Sequence, residues 1–106
     1  MNNPTNPFKE ARRFTRYSTN LPCQIKSSLF ESNGTVTNIS CNGARVEGAE
    51  PVKLGAYVEL TVSRLGDLVA KIRWRSDGKF GVEFVLNEQQ RVDLENRIID
   101  LLADEI

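Results

Sequence analysis

The sequence predicts an all-β domain: a six-stranded antiparallel β-barrel followed by a C-terminal α-helix. Three observations carry this. Short runs with apolar residues at every second position recur from Leu21 to Phe84, and that period is the mark of strands with one buried face. Turn-forming pairs rich in Gly, Asn and Asp separate the runs. After Asn87 the period lengthens to that of an amphipathic helix. Closing the sheet into a barrel removes the exposed strand edges that a small all-β domain must otherwise protect.

In chain order, residues 1–11 are rich in Asn and Pro and read as a flexible tail, with one domain over 12–106. Leu21, Cys23 and Ile25 alternate with Pro22, Gln24 and Lys26, and Pro22 assigns this run to an edge or a strand start. Ser32-Asn33-Gly34 reads as a turn, leading into the β-branched run Thr35–Ile39. Ala44–Glu47 forms a short strand ended by Gly48. Val58, Leu60 and Val62 mark the next. In the longest run Leu68, Ala70, Ile72 and Trp74 share one face, which favours the core for Trp74 over ligand stacking or a partner contact, and Lys71, Arg73 and Arg75 share the other. Asp77-Gly78 turns this strand tightly into Phe80, Val82 and Phe84. Asn87 and Gln90 then form a capping box for a helix over 88–104, whose acidic end opposes the helix dipole.

Composition narrows the function. The chain has 106 residues, enough for one core, with equal numbers of basic and acidic residues and no His. Without imidazole, and with neither cysteine beside a partner that would activate it, an enzyme is not expected. Two cysteines alone do not make an ordinary zinc site, and a reduced pair is expected. No run is long enough to cross a bilayer and no signal peptide is evident, so a cytoplasmic protein without membrane insertion is expected. The charges are unevenly placed: residues 1–20 hold four basic and one acidic, residues 87–106 two basic and six acidic. A neutral chain with one basic arm is poorly suited to long DNA, which needs many phosphate contacts, and better suited to a small anion.

Two motifs offer such an anion a site. Arg12-Arg13-Phe14-Thr15-Arg16 places two guanidinium groups four residues apart. Each can grip phosphate oxygens two at a time, pair with the O6/N7 edge of guanine, or stack on a base. Asn38-Ile39-Ser40-Cys41-Asn42-Gly43 joins two strands with more polar groups than a turn needs, and Asn42-Gly43 accommodates positive φ. Taken singly, the first motif is also an ordinary solvated basic arm and the second an ordinary Ser-stabilised turn.

Together, Arg-x-x-x-Arg and (Asp/Asn)-x-Ser-x-x-Gly resemble the signature of the PilZ domain, a bacterial receptor for cyclic di-GMP. The likeness runs from about Arg12 to the C-terminal helix and includes Phe80-Gly81-Val82-Glu83-Phe84, similar to the family's closing strand. Asn42 departs from the Gly that members often carry there. The resemblance implies a six-stranded barrel with a C-terminal helix. It implies that Arg12 and Arg16 hold the phosphates and guanines of cyclic di-GMP, with Arg13 as a further contact. Asn38 and Ser40 would bond a guanine, and Gly43 would allow close approach. Ala11, just before the first motif arginine, points to one bound ligand. A stand-alone receptor of this type orders its arm on binding and signals through an effector protein. The alternatives are a PilZ-like interaction module that binds no nucleotide, and an RNA-binding barrel using Phe14 and Tyr17.

Overall fold

The computed structural model describes residues 14–48 and 53–104. Arg12, Arg13 and the expected tail over 1–11 lie outside the described residues. Six antiparallel strands close into a barrel: β1 (Tyr17–Lys26), β2 (Glu31–Ile39), β3 (Gly43–Glu47), β4 (Tyr57–Val62), β5 (Gly66–Ser76) and β6 (Lys79–Phe84). They are ordered β1-β2-β3-β6-β5-β4 around the wall. One helix, α1 (Glu88–Ala103), follows.

The expected alternation fills the barrel. Cys23 and Ile25 of β1, Leu60 and Val62 of β4, Leu68, Ala70 and Ile72 of β5, and Phe80 and Val82 of β6 all point inward and are buried. Helix α1 adds Leu94, Ile98 and Leu101 to the same core. These three sit at i, i+4 and i+7, one face of a helix. Fully burying each contributes about 1.5–3 kcal/mol. Val92 and Ile99, which the sequence includes in the apolar stripe, stay about half exposed.

The helix is fixed at both ends. Asn87 accepts from the Gln90 amide at 2.8 Å, and the Gln90 side chain accepts from the Asn87 amide at 2.9 Å, closing the expected capping box. No basic residue lies in the last turn. Instead Asp104 is held from outside, 3.1 Å from Arg64 in the β4–β5 turn. Arg97 donates to the Leu65 carbonyl of that turn at 2.7 Å.

Three sequence readings are corrected. Ser32-Asn33-Gly34 is not a turn but part of β2, paired in that order with Ile25, Gln24 and Cys23 of β1. The reversal falls earlier, at Ser27–Phe30, where the Ser27 hydroxyl accepts from the Leu29 and Phe30 amides. Gly34 is small because a Cβ there would lie 2.7 Å from the Glu47 carbonyl oxygen. Pro22 is mid-strand, beside the irregularity between Ser18 and Leu21 and one residue before pairing with β4 begins. Trp74 is not a core residue; it is 42% exposed. The pairing of β5 with β6 shifts by one residue between Ile72 and Trp74, so this strand contains a bulge and the alternation reverses.

Both cysteines are buried and unbridged. Burial pushes the Cys23 thiol from 9.0 up to about 11. The folded thiol holds its proton more tightly than the unfolded one, so its contribution to stability is complete below about pH 9 and is lost as pH rises through about 11. At pH 8 a thiol-specific disulfide reagent should leave the native protein unmodified and titrate two thiols only after urea unfolding. Rapid labelling of the native protein would contradict this packing.

Candidate functional site

The sequence motif between β2 and β3 owes its shape to one hydroxyl. Ser40 is fully buried, and its Oγ accepts from the amides of Asn42 at 3.0 Å and Gly43 at 3.2 Å. The Ser40 amide donates to the Gly43 carbonyl at 2.8 Å, and the Asn42 carbonyl accepts from the Phe84 amide at 2.9 Å. Ser40 therefore holds the turn and anchors it to the end of β6. Gly43 has no positive φ. It is needed because a Cβ would run into the Val82 carbonyl of β6. Its close approach is to its own barrel, a demand that the sequence does not display.

Asn38 is turned outward by a second bulge. Val36 pairs with Val46, but Asn38 pairs with Arg45, one residue out of step. Val36 and Ile39 are consequently both buried, while Asn38 reaches the surface. Across the barrel wall, Asn38 faces Arg45, Arg45 faces Gly81, and Gly81 faces Trp74. Four strands thus bring these residues into one row. Gly81 leaves room for the Trp74 indole, which lies over the position a Cβ would take.

This row floors an open recess of about 310 Å³, lined also by Arg16 and Arg73. Its three guanidinium groups are each held through Nε. Arg16 donates to Asn38 Oδ1 at 2.5 Å, Arg45 to Thr37 Oγ1 at 3.1 Å, and Arg73 meets Glu83 Oε1 at 2.8 Å. An arginine gripped at Nε keeps its two terminal nitrogens for a planar or phosphate ligand. Chemically the recess sets guanidinium donors beside an aromatic wall. It suits a ligand that combines phosphate with a flat base.

Of the residues singled out by sequence, the structure brings Arg16 and Asn38 to the recess, while Ser40 and Gly43 shape the adjoining turn and its packing on β6. The sequence does not single out Arg45, Arg73 or Gly81 as site residues, and it favours the core over ligand stacking for Trp74. Trp74 was hidden by the bulge, and Arg45 and Arg73 look like ordinary outward charges on strands. Gly81, inside an apolar strand, was the one available signal of a close approach.

A small closed barrel with a basic, aromatic-walled recess on its flank is a ligand-binding module. The model of the PilZ domain family matches residues 10–104, and the chain belongs to that family. No curated protein matches the sequence. Among solved structures, the chain is similar to the PilZ domain of CeSA from a cellulose-synthesizing bacterium (TM-score 0.70, 20% identity, 84% of this chain and 98% of that one). It is also similar to the Bacillus subtilis inhibitor of motility MotI/DgrA (TM-score 0.65, 20% identity, 88% of this chain), of which it spans about half, 52%. The PilZ domain of YcgR from Escherichia coli, solved with c-di-GMP, gives a TM-score of 0.63 at 20% identity over 89% of this chain and 92% of that one. At such identities the likeness speaks for the fold.

Gly43→Ala should lower the unfolding free energy by about 1–3 kcal/mol, the usual cost of forcing an atom into a packed site. Urea denaturation checks this; an unchanged midpoint would mean that β3 and β6 are not this close.

Proposed function

We propose that this chain is a receptor for cyclic di-GMP. The observation that carries the reading is the meeting of Arg16 and Asn38, one from each sequence motif, at a recess walled by Trp74. The ligand has two negative phosphates and two guanines. Arg16, Arg45 and Arg73 supply guanidinium groups for phosphate oxygens or guanine edges. Trp74 offers a face on which one guanine can stack. Asn38 supplies an amide for hydrogen bonding to a base. Ser40 and Gly43 fix the turn that follows it on the chain.

Arg12 and Arg13 join the site in this reading as the basic arm closes over the ligand. Ordering of the arm changes the surface that an effector protein meets, and the output passes to that protein rather than through chemistry on the ligand. A regulatory, non-catalytic role in the cytoplasm, independent of DNA and of membrane insertion, fits the composition. Among the described residues no helix is long and apolar enough to cross a membrane. Control of motility is one output consistent with the neighbour named as an inhibitor of motility.

Isothermal titration tests the proposal. Wild type should bind cyclic di-GMP and ignore GTP, and Arg16→Ala should lose about 1.5–3 kcal/mol, the cost of removing a charged hydrogen-bonding partner. Trp74→Ala should cost about 1–3 kcal/mol with the fold intact, as expected for a stacked base. Absence of binding by wild type, seen by two methods, would defeat the receptor reading and leave a nucleotide-independent interaction module.

A further inference from the structure

The recess on the barrel flank and the helix at the barrel end are separate features, yet one contact links them. Tyr17, the residue after Arg16, donates its hydroxyl to Glu95 Oε2 at 3.0 Å, across 78 positions of sequence. Tyr17 pairs with Ile39, and Ser18 with Asn38, so the start of β1 is in register with the strand that carries Asn38. Glu95 follows the buried Leu94 on α1 and precedes Ile98 by three. It is thus fastened to the part of the helix that enters the core.

The environment of Glu95 is unusual for a residue that serves only stability. Its second oxygen, Oε1, is buried and accepts from no nitrogen or oxygen donor among the described residues. Besides Tyr17, the Cys41 thiol bonds this carboxylate, and a thiol is a weak donor that leaves a buried oxygen poorly satisfied. Arg91, one turn earlier on the helix, is engaged elsewhere: it sits 3.6 Å from Glu88, 3.5 Å from the Leu86 carbonyl, and over the Phe14 ring. Cys41, inside the Ser40–Gly43 turn, also feels this carboxylate. Burial first, and then Glu95, raise the Cys41 thiol and the Tyr17 hydroxyl above their ordinary values. The base of the arm, the motif turn and the helix therefore converge on one side chain.

We propose that Tyr17 and Glu95 are a positioning pair that holds Arg16 at the mouth of the recess and couples ligand occupancy to helix α1. This rests on the receptor reading above. On a strand, neighbouring side chains point to opposite faces. Arg16 lies just before the first residue of β1, so fixing Tyr17 against the helix anchors the strand's start while Asn38 receives Arg16 on the other side. The coupling is reciprocal: if the helix contact favours ligand binding, ligand binding must favour the helix contact to the same extent. Helix α1, which touches no part of the recess, becomes the element through which occupancy is felt elsewhere.

The test is calorimetric titration of cyclic di-GMP into wild type and a set of variants, with hydrogen–deuterium exchange of residues 91–98 read with and without ligand. Tyr17→Phe and Glu95→Ala should each weaken binding about 3- to 10-fold, the range for one hydrogen bond. The double variant should bind no worse than either alone. Glu95→Gln, which keeps an oxygen for Tyr17, should restore affinity to within about two-fold of wild type on the same scale. Ligand should slow exchange in the helix of wild type and leave that of Tyr17→Phe unchanged. Ile99→Ala, at a half-exposed position of the same helix, should keep wild-type affinity. The proposal falls if wild type binds and Tyr17→Phe matches it, if the two losses simply add, or if Ile99→Ala loses as much. If wild type itself does not bind, the receptor reading fails and this inference falls with it.

Discussion

A closed barrel has no edge, and every strand in it must alternate between core and solvent. Any side chain needed outside but placed on an inward position has to be turned by an extra residue. This chain does so in three strands. Register breaks occur in β1 between Ser18 and Leu21, in β2 between Val36 and Asn38, and in β5 between Ile72 and Trp74. Two of the three directly re-aim a residue of the recess. A β-bulge costs some ladder pairing and gains a redirected side chain, which is why such features gather beside binding sites. The recess depends on this irregularity in an otherwise regular wall.

The fold was largely legible because it rests on strong local periods. Alternation in β4, β5 and β6, the Asp77-Gly78 turn and the Asn87–Gln90 box each state a local preference that the barrel then satisfies. The bulges were not legible. Inserting one residue leaves no chemical trace in the sequence, so Trp74 continued an apolar series on paper while leaving the core in space. Gly34 misled for a related reason: glycine marks both turns and crowded strands, and only the partner strand decides between them. The two motifs were legible as a pair but not in their division of labour. Arg16 and Asn38 face the recess, whereas Ser40 and Gly43 serve the backbone.

That division says something about what such a motif encodes. Ser40 satisfies two amides of a turn with one oxygen, and Gly43 lets β3 approach β6 closely. Neither needs to touch a ligand to matter to one, since Asn38 is only as well placed as the turn that follows it. The charges follow a similar logic. Arg45 and Arg73 lean on Thr37 and Glu83 on neighbouring strands, so the wall orients its own cations before any anion arrives. Glu83 balances Arg73, whereas Arg16 and Arg45 lean on neutral partners, so the recess keeps a positive balance in a molecule of zero formal charge.

The crowding of Gly81 against Trp74 has a practical consequence. The chain contains one tryptophan, and it lies half in water at the wall of the recess. Its near-ultraviolet emission therefore comes from a single place. The same indole that closes the recess makes the protein its own optical reporter, able to register local changes in polarity or stacking without an attached dye.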